Sequence, residues 1–326
     1  MLKNSALAFG DPDDFRANLR EAGIELVLTA FGDFRAHVTL VELRQLRLLY
    51  IWEEQPRIAF VSLAPELAFV TFAAQPCRPM TWGGLRLLPG DVVFHGQGEH
   101  MHQRTSGVCH WAFISQTSEH LSASSKALTG KELLPPPAGR VLRLSSSAIV
   151  RLRQLHAGAR RLLEKKPELI AHPEVARALE QDLTRALVTC LSIGAHCLHL
   201  APGRRRAEIM RQFEEALAAH SEGVPHLPDL FKAIGVPERT LRACCAEFLG
   251  MSPGRYLRLL RLARVRTALC HADAAMVNVS DVARRYGFLQ LGRFAAQYRA
   301  VFGESPSTTL QRRARDAHNT IRAELA

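Results

Sequence analysis

A chain of 326 residues has room for two domains at roughly 150 residues each. A composition that is 47% hydrophobic and 22% charged belongs to a chain that folds around a core, which excludes a disordered or fibrous protein. No run of about 18 apolar residues is present, so no transmembrane helix is expected. The apolar stretch between Met1 and Phe9 is short and gives way to Asp11, Asp13 and Asp14, which does not suit a signal peptide. The expected location is the cytoplasm.

The net charge of +11 is unevenly distributed. Between Arg204 and Asp316 there are 19 Lys and Arg against 11 Asp and Glu, a surplus of eight, which leaves three for the first 203 residues. A basic end joined to a nearly balanced front is the electrostatic pattern of a nucleic-acid binder, because phosphate neutralisation supplies much of the affinity. Cys77, Cys109, Cys190, Cys197, Cys244, Cys245 and Cys270 are odd in number and include no Cys-x-x-Cys pair. They read as small buried thiols in a reducing compartment rather than a disulfide framework or zinc ribbon.

From about Glu25 to Ile114 the pattern predicts many short strands: Phe34 to Leu40, Leu48 to Trp52, Ile58 to Leu63, Leu67 to Phe72, Asp91 to Phe94 and Trp111 to Ile114. Turn signals such as Gln55-Pro56, Gly83-Gly84 and Pro89-Gly90-Asp91 separate them, which suggests an antiparallel barrel or sandwich. After Pro135-Pro136-Pro137 the spacing becomes helical, with Ile149, Leu152, Leu155 and Ala159 on one stripe. A second helix is predicted to start at His172-Pro173-Glu174 and to run through Leu179, Leu183, Leu187 and Leu191, towards Leu198. That stripe has two readings, packing on its own barrel or joining two protomers. Ala201-Pro202-Gly203 followed by Arg204, Arg205 and Arg206 is the linker expected at the charge shift.

The remainder reads as helices. Glu208 to Ala219 is one. Leu227 to Ile234, Gly235-Val236-Pro237, and a helix from Glu238 to about Gly250 have helix-turn-helix spacing. The plan recurs about fifty residues on, with Val279 to Tyr286, the turn Gly287-Phe288, and Gln290 to Val301. Between the units Pro253 to His271 predicts a connecting helix of roughly 28 Å, suited to two recognition helices aimed at major-groove segments roughly 34 Å apart.

The run Val279-Ser-Asp-Val-Ala-Arg-Arg-Tyr-Gly-Phe, with Phe294, Tyr298, Arg299 and Phe302-Gly-Glu-Ser-Pro306, resembles the C-terminal domain of the AraC/XylS family of bacterial transcription regulators. Gly250-Met-Ser-Pro253, Tyr256-Leu257 and Arg261-Leu-Ala-Arg264 extend the match, which covers Arg206 to Arg313. The resemblance places Arg239, Thr240 and Arg242 on the groove side of the first recognition helix. On the second it places Gln290, Leu291, Arg293 and Gln297, with Leu291 suited to a thymine methyl. The chain departs from the family at Pro237, Ala243 and Cys245, and at Gly292, Ala295 and Ala296, where polar or larger residues are usual.

The expected architecture is therefore α+β. Residues 1–203 form a sensing and dimerisation domain, with a cupin-like antiparallel β-barrel over about 25–120 and helices over about 145–200. Residues 204–326 form an all-α DNA-binding domain with two helix-turn-helix units. The resemblance implies a sequence-specific transcription regulator, not an enzyme, which needs no cofactor, binds a double-stranded DNA operator as a homodimer and meets RNA polymerase. A small effector is expected in the barrel near Tyr50, Trp52, Phe69 and Trp82. The alternative is a cupin-type metalloenzyme with an appended DNA-binding domain, suggested by His100-Met101-His102 with His95, Glu99 and His110 nearby. No Glu follows at the spacing that such a site requires, and no metal site is expected.

Overall fold

The computed structural model describes residues 4–19, 22–76, 78–143, 147–194, 199–200, 203–219 and 225–311. Cys77, Cys197, the Ala201-Pro202 part of the linker, the extension to Leu198 and Arg312 onward lie outside the described residues.

The front of the chain alternates apolar and polar residues between turns, and it forms strands. These are β1 (Ser5–Phe9), β2 (Ala22–Leu28), β3 (Ala36–Glu42), β4 (Arg47–Glu53), β5 (Arg57–Leu63) and β6 (Leu67–Ala73), then β7 (Met80–Trp82), β8 (Leu85–Leu87), β9 (Asp91–Phe94), β10 (His100–Thr105) and β11 (Cys109–Thr117). A short helix, α1 (Pro12–Ala17), follows β1. Helix α2 (Ser118–Thr129) starts where Thr117 caps the His120 amide at 3.1 Å. The composition hides α2, because only Leu121 and Ser125 of its twelve residues are buried. Next come β12 (Arg140–Arg143), α3 (Ser147–Lys165), α4 (Pro167–Ile170), α5 (Pro173–Gly194) and β13 (His199–Leu200).

Two sheets result. One has the order β1-β3-β4-β11-β6-β9-β12-β13, the other β2-β5-β10-β7-β8. In neither do the end strands pair with each other. The register of β4, β11 and β6 sets Tyr50 opposite Ala112 and Ala112 opposite Phe72. Residues of that parity, including Leu48, Val70, Phe72 and Ile114, share a core with Ile149, Leu152 and Leu163 of α3 and Leu183, Leu187 and Leu191 of α5. The stripe of α5 thus faces the unit's own core, where Leu183, Leu187 and Leu191 are buried. Each such leucine contributes about 2 kcal/mol of hydrophobic stabilisation.

The rest of the chain is helical: α6 (Arg204–Ala218), α7 (Leu227–Ile234), α8 (Glu238–Phe248), α9 (Pro253–His271), α10 (Val279–Arg285) and α11 (Leu291–Phe302). Two small cores hold them. Phe213, Leu230, Leu241, Phe248 and Tyr256 belong to the first, and Leu262, Leu269, Phe294, Tyr298 and Leu310 to the second. The contacts divide the molecule into two compact units. One comprises Met1–Glu25, Arg35–Glu54 and Ala59–Arg204, and the other Leu26–Phe34, Gln55–Ile58 and Arg205–Ala326. Among the described residues no helix is long and apolar enough to cross a membrane.

Candidate nucleic-acid interface

Each helix-turn-helix unit is built around a glycine. Gly235 ends α7 with φ +68° and donates its N–H to the Phe231 carbonyl at 3.1 Å. Gly287, φ +83°, turns the chain after α10. A residue with a Cβ is strained in this left-handed region, so the turn requires glycine. Within the first unit Leu230, Ile234 and Leu241 are buried, so α7 and α8 pack through them and α8 keeps its other side in solvent.

Arg239 and Arg242 lie on that outer side, exposed, with Thr240 half-buried between them. Arg242 is held by Glu238 one turn back, with its Nε 2.7 Å from Glu238 Oε1. An exposed pair of this kind is worth little and opens easily. Arg239 makes no ion pair among the described residues. Pro237 precedes the helix at its capping position and no side chain caps it, so its first amides remain available to an acceptor.

The second unit has the same form with different chemistry. Asn278 Oδ1 caps α10 at the Ser280 amide, 2.9 Å away. Gln290 is the residue preceding α11 rather than its first turn, and like Pro237 it leaves the helix start without a side-chain cap. Gln290 and Arg293 are exposed, while Leu291 and Gln297 are half-buried. Gly292, Ala295 and Ala296 present almost no side chain. The turn before α11 exposes Leu289 at 86%, apolar surface that motif reasoning passed over because the residue precedes the helix.

Of the arginines on α9, Arg255 and Arg258 are exposed. Arg261 is partly buried, donates to the Pro225 carbonyl at 3.1 Å, and is easier to deprotonate than usual because burial disfavours its charge. Arg266, which sequence reasoning missed, is buried and paired with Glu304 at 2.7 Å. A lone arginine among several on a basic helix carries no sequence sign of being internal.

The front unit divides the four aromatic candidates, with Tyr50, Trp52 and Phe69 on the two sides of the larger sheet and Trp82 on the smaller one. Tyr50 and Trp52 are on the helix side. The Arg160 guanidinium sits 4.1 Å over the Tyr50 ring, and the Tyr50 hydroxyl is 2.8 Å from His110 Nδ1. Burial raises the Tyr50 pKa and lowers that of His110, where the nearby Arg160 charge adds to the effect. Phe69 has the opposite parity and points to the space between the sheets.

Trp82 also faces that space, edge-on to His95 at 5.9 Å. His95 Nε2 is 2.8 Å from Thr71 Oγ1, and its Nδ1 is 3.0 Å from Glu99 Oε2, which also accepts the Gly96 amide at 3.0 Å. Thr71 lies opposite Phe113, which puts Phe113 and Trp111 on the same side. The indole N–H groups of Trp82 and Trp111 are both buried there and have no hydrogen-bond partner among the described residues.

The segment with His100 and His102 is a strand, so both imidazoles share a face. His100 is exposed and bonded to Ser62 Oγ at 2.8 Å, and His102 is buried with its ring 5.1 Å from Phe60. Among the described residues no three His, Cys, Asp or Glu side chains come together in a group able to hold a metal ion.

Residues 230–312 match the family model described as a helix-turn-helix domain. The chain is 32% identical over 146 residues to the probable thc operon regulatory protein of Rhodococcus erythropolis, a match covering 44% of each chain. It thus spans less than half of that relative. It is 33% identical over 136 residues to the XylDLEGF operon transcriptional activator 2 of Pseudomonas putida, covering 42% of this chain and 85% of the relative. Among solved structures, the AraC-like transcriptional activator CuxR aligns over 82% of this chain and 96% of its own, with 14% identity and a TM-score of 0.40.

Proposed function

The chain belongs to the AraC/XylS family of transcription regulators, and from that premise we propose that it binds a specific DNA operator through α8 and α11 and responds to a small effector through the front unit. The observation that carries the DNA reading is the pair Arg239 and Arg242, exposed in the first turns of an uncapped helix on a turn built by Gly235. Arginine at such a position takes guanine O6 and N7 bidentately, or a phosphate, and the open helix start takes a backbone phosphate. Thr240, Gln290, Leu291, Arg293 and Gln297 complete the proposed contact set, and Leu289 joins it as an apolar contact for a thymine methyl.

The effector reading is supported by Trp82 and Trp111, whose buried N–H groups lack an acceptor among the described residues. A buried donor left unpaired costs about 1–3 kcal/mol, which an acceptor on a bound molecule would recover. On this reading the two sheets are the walls of a cupin-like open barrel. Phe69 and Trp82 face the effector, and Tyr50 and Trp52 do not. A cytoplasmic homodimer, with an independent DNA-binding domain starting near Arg204, completes the proposal.

Footprinting of the full-length protein on the DNA flanking its own gene tests it. Protection of paired half-sites spaced by one helical turn is expected. Binding that is indifferent to sequence and falls only with salt would refute operator recognition.

A further inference from the structure

A cavity of about 210 Å³ opens on the front unit where the end of β6, the β7–β8 hairpin and α3 converge. Its walls are apolar at Pro76, Pro79 and Leu88, which are exposed, and its polar lining is mostly cationic: Arg78, Arg86 and Arg153. The one carboxylate in the lining, Asp91, is already engaged. It takes Arg143 bidentately at 3.0 and 3.1 Å and accepts the Leu88 amide at 2.8 Å. Arg78 and Arg153 donate, among the described residues, only to backbone carbonyls, of Ser106 at 3.4 Å and Ala74 at 3.2 Å. Among the described residues no carboxylate pairs with Arg78, Arg86 or Arg153.

The sheet adds to this excess. Thr81 lies opposite Arg104 on one side and Arg86 on the other, so both arginines project from one face, two strand spacings or about 10 Å apart. Arg104 reaches Thr81 Oγ1 at 3.3 Å, and its Nε is buried with no partner among the described residues. Like charges gathered beside a concavity, with their local carboxylate consumed, leave a positive potential that an anion would neutralise.

We propose that this cavity binds a small organic carboxylate, its oxygens taken by Arg86 and Arg153 and its apolar part laid against the exposed Pro79 and Leu88. A planar guanidinium matches a carboxylate in a two-bond fork. The apolar walls favour a ligand with a hydrocarbon part over a fully hydrated inorganic anion. Because Arg153 stands on α3 and Arg86 on β8, one ligand ties a helix of the unit to the edge of its smaller sheet. None of Phe69, Trp82 and Trp111 lines this cavity, and binding is measured without DNA, so it can fail independently of the regulator reading.

The test is calorimetric titration and thermal melting of the full-length protein with hexanoate and cyclohexanecarboxylate, their amides, and inorganic phosphate. At least one carboxylate is expected to bind and raise Tm while its amide does neither. Arg86→Gln and Arg153→Gln should each weaken that binding by at least about tenfold, while Trp82→Phe leaves it unchanged. If Arg153→Gln loses the fold with its bond to Ala74, the exposed Arg86→Gln decides. The proposal is overturned if neither carboxylate binds, if the amides bind equally, if phosphate alone binds, or if Trp82→Phe weakens binding and the arginine variants do not.

Discussion

The two units of this molecule place their chemistry on opposite sides of their surfaces. In the front unit the polar side chains that stand out are internal: His95, His102, Gln116 and His156 are buried among strands and helices. In the C-terminal unit they are external, with Arg239, Arg242, Gln290 and Arg293 exposed on helices whose opposite faces form small apolar cores. A buried polar group is coupled to folding, because its desolvation must be offset by the native structure. An exposed one is nearly free of that coupling. Substitutions in the front unit should therefore be read out first as stability, and those on α8 and α11 as affinity.

The largest effect is expected where that contrast is driven hardest. Leu183→Glu puts a carboxylate into the core shared by α3, α5 and the larger sheet. It should cost more than about 4 kcal/mol, from the lost leucine and the buried charge together, and unfold the front unit in urea titrations followed by circular dichroism. A variant that stays folded and only dissociates would return the stripe to a subunit interface.

Glu304→Ala probes a place where the C-terminal unit breaks its own pattern. It removes a carboxylate paired with Arg266, a guanidinium that is only 5% exposed, and should cost about 3 kcal/mol in unfolding free energy. A loss below about 1 kcal/mol would mean that this unit tolerates buried charge as the surface does.

His156 gives the front unit a pH signature. Burial pushes its pKa from 6.5 down to about 4, against a bond from its Nε2 to the Phe113 carbonyl. The unfolded chain takes up the proton below pH 6.5 while the folded one resists until about pH 4. Stability is therefore full above pH 6.5 and falls as the pH drops between those values, by about 3 kcal/mol in all. Melts of His156→Gln should lack this slope, and an unchanged slope would assign it to other groups.

On the outer surface, Arg239→Ala and Arg242→Ala should each lower operator affinity by about 1–3 kcal/mol if a guanine contact is lost, with melting temperature unchanged. A uniform loss across sequences would assign them to phosphate. The smallest effect is expected for Arg293→Ala, a single charge beside Gly292 and Ala295, which should reduce the salt dependence of binding by about one unit of slope. A loss larger than that at Arg239 would reverse the ranking of the two recognition helices.

Local order in the sequence announced the helical part of the molecule closely, except that α6 starts at Arg204, within the expected linker, rather than at Glu208. Helix α9 runs from Pro253 to His271 as its start signal and periodicity require, and β9 spans Asp91–Phe94 as read from its apolar run. The short strands β7, β8 and β12 and the serine-rich α2 left too little periodic signal. The candidate site was legible on α8 and α11 because a motif of glycine turn and apolar spacing states which face is outward. It was not legible at Leu289, which lies outside that spacing, nor at Arg266, whose neighbour Glu304 is 38 residues away.

The order of residues alone determined that strands precede helices, where each helix-turn-helix bends, and that the positive charge gathers at the C-terminal end. Tertiary structure decided what each apolar or polar face meets. The α5 stripe turns onto its own sheet, Tyr50 and Phe69 part to opposite sides of that sheet, and Asp91 is consumed by Arg143, leaving Arg78, Arg86 and Arg153 uncompensated. The division follows from range. Periodicity, capping and turn chemistry act over a few neighbouring residues and can be read along the chain, whereas a face's partner is set by strand register and packing between segments distant in sequence.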